Sequence, residues 1–371
     1  MDTDKAIEEI MMGMVREKAM GKKIRDVITI IRGKTGRVKY LPPQQADSRE
    51  RSGTMTKITE VDRIEIITLQ DNYIDITVGD NSAVISRPST IRDGEVRNSI
   101  LAEHGFSALI RTTVDGATRT MLFDFGFSPI GAAFNVKALD IPMEEVEVMA
   151  LSHGHSDHTG GIAELTSMIG RPGIELVLHP AAFTSPRYIK ISKDFKRRFP
   201  QLTRESLEAQ GIRIIETTAP YPLLDGQILF LGEVERTTPF EKGLPTAYRE
   251  NRNGKEEWDP MEDDTGIAMH VKGKGLVVLS GCAHSGIINT VTHARKVSGV
   301  EKVHAIMGGF HLGGPLFEPI VEPTTEGLKA FSPDYVIPCH CTGRNAIMHI
   351  EREMPDQFIL NMSGTKLTFS A

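Results

Sequence analysis

The chain has 371 residues, a hydrophobic fraction of 40% and a formal net charge of −6. This length exceeds that of a typical compact domain and allows a large buried core. The acidic balance argues against a general nucleic-acid-binding protein, which would carry a basic excess. No apolar run approaches the roughly 20 residues that span a bilayer, and the acidic start Met1-Asp2-Thr3-Asp4 lacks the apolar segment of a signal peptide. We therefore expect a cytoplasmic protein that binds neither nucleic acid nor membranes.

Residues 1–55 differ from the rest of the chain and are predicted to form a helical extension with a linker. The linker follows Pro42-Pro43 and is polar, so the main domain is predicted to cover residues 56–371. The extension would pack on the main domain or form a homo-oligomer through its helix, and a lid over the active site is the alternative. The apolar residues that recur at helical spacing are Ile7, Ile10, Met11, Met14 and Val15.

Beyond Ile58, short apolar strands alternate with helical segments. Such mixed strand pairs with helices between them predict an α/β fold, an αββα sandwich of two sheets with helices outside. The polar residues 233–263 are predicted to form a long loop near the site entrance. Helices are predicted at Ile162–Met168, Ile287–Val297 and near Asn345–Arg352. Strands are predicted at Ile64–Leu69, Ser107–Val114, Arg119–Phe123, Glu147–Leu151, Ile174–Leu178, Arg213–Glu216, Ile228–Leu231, Gly266–Val271, Gly275–Leu279, Val303–Met307 and Tyr335–Pro338.

A dense group of metal-capable side chains follows the apolar run 146–151. Residues 152–158 are Ser-His-Gly-His-Ser-Asp-His, and they contain His153, His155, Asp157 and His158. Imidazole and carboxylate together suit zinc, iron or manganese. A single ion has no use for four adjacent ligands on so short a loop. We therefore expect two ions, with His153 and His155 facing one and Asp157 and His158 facing the other.

Three later strands each end just before a histidine, at the edge where layered α/β folds build their sites. His284 and His340 are predicted metal ligands, and His311 is a predicted substrate contact. The cysteines do not form a CxxC pair, and their odd number does not indicate a disulfide framework. All three cysteines lie beside candidate metal ligands. This placement is either chance at the ends of core strands or an indication that a thiol lies near the metals. The cysteines are Cys282, Cys339 and Cys341.

The HxHxDH motif resembles the metallo-β-lactamase superfamily. The resemblance implies that Asp124, which ends an earlier strand, orients the first ligand cluster, and that His340 is the last histidine ligand. A bridging acid is expected about fifty residues before His340, where this chain has Gly281-Cys282-Ala283-His284. Either His284 has become the ligand, or Cys282 occupies the place of the acid, or both. We favour His284.

The segments GCAHSGIINT, GGFHLGG and PCHCTG resemble one branch of this superfamily, from about Ile58 to the C-terminus. That branch contains 7,8-dihydropterin-6-methyl-4-(β-D-ribofuranosyl)-aminobenzene-5′-phosphate synthase and related metal-dependent hydrolases. The resemblance implies a hydrolase with two divalent ions, zinc first and manganese or iron as alternatives. A metal-bridging hydroxide would attack a small anionic ester or phosphoester. Asp157 and Asp124 would be catalytic, and substrate would contact His311, Arg344 and Cys282.

Other functions remain open at this stage. One is the condensation catalysed by the synthase of the branch, and another is a persulfide dioxygenase-like oxidoreductase with one iron. A non-catalytic binding protein is disfavoured because the first ligand cluster is complete. A basic run is expected to be a solvated face, and it favours an anionic substrate if it borders the pocket. It consists of Arg187, Lys190, Lys193, Lys196, Arg197 and Arg198.

Overall fold

The computed structural model describes residues 56–371 except 97–98, 193–194 and 252. The predicted N-terminal helix and linker lie outside the described residues. Within the described part, no helix has both the length and the apolar character needed to cross a membrane.

The described chain alternates strands with helices. The helices are α1 Gly131–Ala138, α2 Ser156–Thr159, α3 Ile162–Ile169, α4 Arg204–Glu208, α5 Ile287–Ser298, α6 Glu318–Phe331 and α7 Arg344–Glu353. The strands are β1 Glu60–Val61, β2 Arg63–Gln70, β3 Ile85–Ser86, β4 Ile91–Arg92, β5 Glu95–Val96, β6 Ser107–Val114, β7 Ala117–Phe123, β8 Val146–Ala150, β9 Glu175–Leu178, β10 Arg187–Lys190, β11 Lys196–Arg198, β12 Arg213–Glu216, β13 Tyr221–Leu223, β14 Ile228–Phe230, β15 Ala247–Glu250, β16 Glu256–Trp258, β17 Gly266–Val271, β18 Gly275–Ser280, β19 Val303–Gly309, β20 Tyr335–Cys339 and β21 Lys366–Ser370.

Two large sheets face each other across the main core. The first has the order β12-β9-β8-β7-β6-β2-β21-β3, and the second has the order β13-β14-β17-β18-β19-β20 with β1 beside β17. Strand alternation decides which side chains meet between them. In β2, Ile64 and Ile66 face the opposite sheet, whereas Ile67 and Leu69 face the outer helices. Each sheet is therefore apolar on both faces.

The outer faces of both sheets are covered by helices. Helices α1 and α3 pack on the first sheet around Leu122, Met149 and Leu165. Helices α5, α6 and α7 cover the second sheet around Val278, Ile306 and Leu328. The predicted αββα sandwich is confirmed.

The sequence prediction missed several elements. Residues 233–263 are not one long loop, because β15 and β16 lie in this segment and join β10 and β11 in a four-stranded small sheet. The pattern hides these strands because they are short and rich in charged residues. Helix α6 was not predicted because its interior contains Pro323 and Gly327, which normally disfavour helices.

Parallel pairing places the predicted site residues at one edge of the sandwich. In the first sheet β7, β8 and β9 are mutually parallel, and in the second sheet β18, β19 and β20 are mutually parallel. The carboxyl ends of parallel strands meet at the same sheet edge. Asp124 follows β7, His153 follows β8, and three further histidines follow β18, β19 and β20.

Candidate metal centre

The structure gathers the strand-end side chains into three overlapping groups, each with ligand atoms within 4.8 Å of one another. These buried or half-buried groups all lie at the edge where the two sheets meet. The first is Asp157, His158, Cys282 and His340; the second is His153, Cys282 and His284; the third is His153, His155 and Asp157.

Short distances connect the members of these groups. Nε2 of His153 lies 3.1 Å from Nδ1 of His155. Nε2 of His158 lies 3.2 Å from Sγ of Cys282, and Nε2 of His340 lies 3.3 Å from Oδ2 of Asp157. The groups therefore form one continuous centre with two ends.

The Cys282 thiol belongs to two of the groups and lies between the ends of the centre. His284 lies at one end, with ring centroids 4.9 Å from both His153 and His155. The structure thus places both Cys282 and His284, the two candidates for the position of the expected bridging acid, at the centre. In this arrangement Cys282 occupies a bridging position and His284 a terminal one.

The donor set fits divalent cations. Burial lowers the pKa of His155 to about 3 and that of His340 to about 4, so both imidazoles are neutral at pH 7. Among the residues that the structure describes, Nε2 of His155 and both ring nitrogens of His284 are buried without a hydrogen-bond partner. Buried polar atoms without partners are rare and costly unless an ion satisfies them. Burial raises the pKa of the Cys282 thiol, and a coordinated cation would deprotonate it.

His158 is held from behind by Asp124. The Asp124 carboxylate lies 2.7 Å from Nδ1 of His158 and accepts hydrogen bonds from the main-chain N–H and hydroxyl of Ser152. Burial opposes a charged His158, but the carboxylates of Asp124 and Asp157 outweigh burial and raise the His158 pKa. Asp124 is fully buried, so it contacts the candidate ligand His158 from behind and does not border the cleft.

Asp124→Asn is expected to weaken metal binding by about 10- to 100-fold, because outer partners of ligating histidines typically contribute that much. Metal affinity is measured by chelator competition. Ser107→Ala is the matched control, since the Ser107 hydroxyl donates to the main-chain oxygen of Asp124 and not to its carboxylate. Equal affinity in the wild type and Asp124→Asn would contradict the positioning role.

Three other buried carboxylates were not predicted from the sequence. Asp264 accepts the main-chain N–H groups of His284 and Ser285, and Asp71 accepts that of His340. Asp263 accepts the N–H of Gly154, between the first two histidines. The adjacent acids at 263–264 just before the buried strand β17 were the available signal.

Two glycines allow the close packing of this centre. A Cβ on Gly154 would collide with the main-chain oxygen of Ala182. A Cβ on Gly281 would collide with Ser152 and lie 2.8 Å from Oδ2 of Asp124. Gly154 therefore allows the loop after β8 to pack against the segment after β9, and Gly281 allows the loop after β18 to pack against the loop of the opposite sheet.

The small sheet covers one end of the centre. Phe199, next to β11, stacks on His155 with a centroid distance of 4.2 Å and an interplanar angle of 11°. From the predicted basic run, Arg187 is buried, whereas Arg197 is exposed and lines a cleft of about 360 Å³ above the metal-capable groups. Part of the basic run thus borders the site.

The cleft contains most of the predicted substrate contacts. His311 and Cys282 line it, together with His104, which the sequence pattern did not single out. Nε2 of His104 lies 3.4 Å from Oδ2 of Asp157. Arg344 is exposed at the start of α7 and is not part of the cleft lining. The structure therefore does not bring Arg344 together with the others.

The different places of Cys282 and His284 lead to a testable difference. His284→Ala is expected to remove the ion beside His153 and His155 and to retain the other. Cys282→Ser is expected to weaken both ions, because its thiol belongs to groups at both ends. Plasma mass spectrometry of the purified variants measures the metal content. If Cys282→Ser retains both ions at wild-type affinity, the bridging position is wrong.

Comparison with known proteins places the chain in a family. The profile of the metallo-beta-lactamase superfamily matches residues 102–288. The 7,8-dihydropterin-6-methyl-4-(beta-D-ribofuranosyl)-aminobenzene-5'-phosphate synthase of Methanocaldococcus jannaschii is 32% identical over 322 residues, which are 85% of this chain and 100% of that protein. An uncharacterized protein of the same organism is 30% identical over 265 residues, which are 70% of this chain and 92% of that protein. The chain belongs to the metallo-beta-lactamase superfamily, as its motifs predicted.

A solved structure supports the fold. A metal-dependent hydrolase of the beta-lactamase superfamily aligns with a TM-score of 0.63 at 23% identity, covering 83% of this chain and 100% of that one. At this identity the match shows the shared fold alone.

Proposed function

We propose that the protein is a dinuclear metal-dependent hydrolase that acts on a small anionic ester or phosphoester. The observation that carries the proposal is the pair of ligand groups joined at Cys282. His153, His155 and His284 would hold one ion. Asp157, His158 and His340 would hold the other. Two such ions, when bound, supply an activated water and Lewis-acid polarisation of the substrate.

The chain itself contributes a fixed arrangement of side chains. Asp157 is half-buried at the base of the cleft, and its Oδ2 lies within 3.4 Å of His104 and 3.3 Å of His340. These contacts hold the carboxylate where it can accept a proton from an attacking water. Phe199 and the small sheet limit solvent at the other end of the centre. Fixed dipoles in a water-poor site stabilise developing charge better than bulk water does.

The charge of the cleft favours an anionic substrate. Arg197 adds a guanidinium to the cleft lining, and a guanidinium can form two parallel hydrogen bonds with a carboxylate or phosphate group. His311 also borders the cleft, and burial lowers its pKa to about 4. At pH 7 it is therefore a neutral hydrogen-bonding group. Arg197→Ala is expected to raise KM for an anionic ester about tenfold with little change in kcat.

The decisive experiment combines metal analysis with substrate panels. Plasma mass spectrometry of freshly purified protein is expected to give two zinc or manganese ions per chain, and ester and phosphoester panels are expected to reveal turnover that chelation abolishes. A single iron per chain would contradict the proposal and favour persulfide dioxygenase-like chemistry. No metal after reconstitution would favour a binding protein.

The second function to consider is a synthase-type condensation. It is favoured by the 32% identity to the Methanocaldococcus jannaschii synthase over the whole length of that enzyme. The test incubates the metal-loaded protein with a 7,8-dihydropterin derivative and a ribofuranosylaminobenzene phosphate, and mass spectrometry detects the joined product. Formation of that product without ester hydrolysis would replace the hydrolase proposal.

A further inference from the structure

Two of the three cysteines meet across a strand that has no side chain at the point of contact. Cys282 follows β18 and Cys341 follows β20, and both strands pair with β19, which lies between them. At this level β19 contains Gly309. A Cβ on Gly309 would lie 2.6 Å from the Cys341 sulfur and 3.2 Å from the Cα of Cys282. Glycine at this position therefore lets the Cys341 side chain reach the segment that carries Cys282.

The thiols of Cys282 and Cys341 are in contact. The Cys341 thiol donates a weak hydrogen bond to the main-chain oxygen of Cys282 at 3.5 Å. The two thiols also hydrogen-bond to each other, and this contact adds to the effect of burial in raising the pKa of Cys282. The third cysteine, Cys339, instead packs in the main core between the two sheets and does not line the cleft.

The cysteine pair is open to small solutes from the metal cleft. Both residues line this cleft, whose volume is about 360 Å³. Cys341 is half-buried, whereas Cys282 is only 2% exposed. A small oxidant in the cleft therefore meets the Cys341 sulfur first and has the Cys282 sulfur next to it.

The Cys282 thiol is also the one sulfur shared by the metal-capable groups. Among the described residues, it belongs to groups at both ends of the centre, whereas Cys341 belongs to none of them. A cysteine binds a cation as the thiolate, and a disulfide sulfur does not carry that charge. Cross-linking of Cys282 would therefore take one ligand from both ends of the centre at once.

We propose that Cys282 and Cys341 form a reversible disulfide when a hydroperoxide enters the cleft, and that this modification weakens metal binding at both ends of the centre. This proposal goes beyond the proposed function, because it concerns chemical modification of the centre and not its substrate. The oxidant is named by its class, and hydrogen peroxide is its simplest member.

The reaction has two steps. The Cys341 sulfur attacks one oxygen of hydrogen peroxide, the O–O bond breaks, and a sulfenic acid and one water form. The Cys282 sulfur then displaces the sulfenic hydroxyl, which leaves with the second thiol proton as another water. The two thiols lose two electrons and two protons in total, and the peroxide is reduced to two waters. A dithiol such as dithiothreitol reverses the cross-link by thiol–disulfide exchange.

The test follows the disulfide and the metal and does not require turnover. Zinc-loaded wild-type protein is treated with equimolar hydrogen peroxide, because zinc has no redox chemistry and only the protein can be oxidised. Peptide mass spectrometry after alkylation is expected to show Cys282 joined to Cys341. A chromogenic chelator is expected to report zinc affinity lowered about tenfold or more, since even the outer partners of metal ligands contribute that much. Dithiothreitol is expected to restore the affinity.

Two cysteine variants serve as matched controls. Cys341→Ser retains the Cys282 thiol, and we expect it to form no disulfide and to keep its zinc under the same treatment. Cys339→Ala removes the cysteine that lies outside the cleft, and we expect it to respond to peroxide as the wild type does. Circular dichroism checks that both variants are folded.

Three results would overturn the proposal. The first is the absence of a link between Cys282 and Cys341 after peroxide treatment. The second is equal loss of zinc from Cys341→Ser, because oxidation of Cys282 alone would then explain the loss. The third is a cross-linked protein that binds zinc with unchanged affinity. None of these results depends on hydrolysis, so an inactive protein that shows the reversible cross-link would overturn the hydrolase proposal and retain this one.

Discussion

His155→Ala is expected to reduce the metal content from two ions per chain to one and to lower turnover about a thousandfold or more. His155 lies 3.1 Å from His153 through facing ring nitrogens, and it shares one end of the centre with His284. Loss of this imidazole leaves that ion too few protein ligands. A catalytic ion contributes several kcal/mol of transition-state stabilisation, and each 1.36 kcal/mol corresponds to about tenfold in rate.

The measurement pairs plasma mass spectrometry with turnover of the best ester from the panel. His179→Ala is the matched control, because His179 is also buried and follows a neighbouring strand end, yet it belongs to none of the metal-capable groups. The control is expected to retain both ions. Wild-type activity in His155→Ala would contradict the proposal that the metal centre is catalytic. Circular dichroism checks that the variant is folded.

Arg187→Met is expected to destabilise the folded protein by about 3–5 kcal/mol, because it leaves buried carboxylates without their cation. The guanidinium contacts both oxygens of Asp263, at 2.6 and 2.7 Å, and its Nε lies 2.7 Å from Asp259. All three side chains are at most 3% exposed. Burial alone would raise the pKa of Asp263, but Arg187 outweighs burial and holds this pKa below its ordinary value.

Urea unfolding followed by circular dichroism measures the loss of stability. Arg249→Met is the matched control, because Arg249 is the register partner of Arg187 in the neighbouring strand. Its short ion pairs are to the more exposed Glu257 and Glu262, and it approaches the buried Asp259 only at 4.0 Å. Surface ion pairs contribute about 1 kcal/mol or less. Equal destabilisation by the two variants would show that the buried ion pairs of Arg187 with Asp259 and Asp263 contribute no more stability than the exposed pairs.

Loss of Arg187 is also expected to affect metal binding. Asp263 shares its Oδ2 between Arg187 and the main-chain N–H of Gly154. Gly154 separates His153 from His155. The Arg187–Asp263 pair is therefore expected to hold the loop that carries these two histidines as well as the small sheet. Weakened metal binding in Arg187→Met, with unchanged binding in Arg249→Met, would support this connection.

The sequence alone determined the layered fold, because buried strands leave a clear apolar pattern. Strands β6, β12 and β17 begin and end where that pattern predicted them. The hairpin between β6 and β7 turns at Asp115-Gly116, and both residues have the positive φ that this pair favours. The HxHxDH spacing also identified the superfamily, since its ligands come from one short segment.

Contacts between distant segments were decided only by the tertiary structure. Asp71, Asp263 and Asp264 hold ligand loops through hydrogen bonds to main-chain N–H groups as far as 269 positions away along the chain. The position of Asp263 and Asp264 just before the apolar strand β17 was the one signal in their sequence context, and it does not reveal which loops they contact. The strands of the small sheet were missed for a related reason: their charged side chains pair with one another, so no apolar alternation marks them.

The roles of Cys282 and His284 show the same division. Their sequence context placed both at the end of a core strand and favoured His284 as the ligand without excluding Cys282. The positions of the Cys282 and His284 side chains depend on the main-chain conformation at the sheet edge. There, Ala283 has a φ of 51° and His340 a φ of 49°. A non-glycine residue adopts this left-handed region only when surrounding contacts compensate its cost. Packing of the two sheets supplies those contacts, and it places Cys282 between the two ends of the centre.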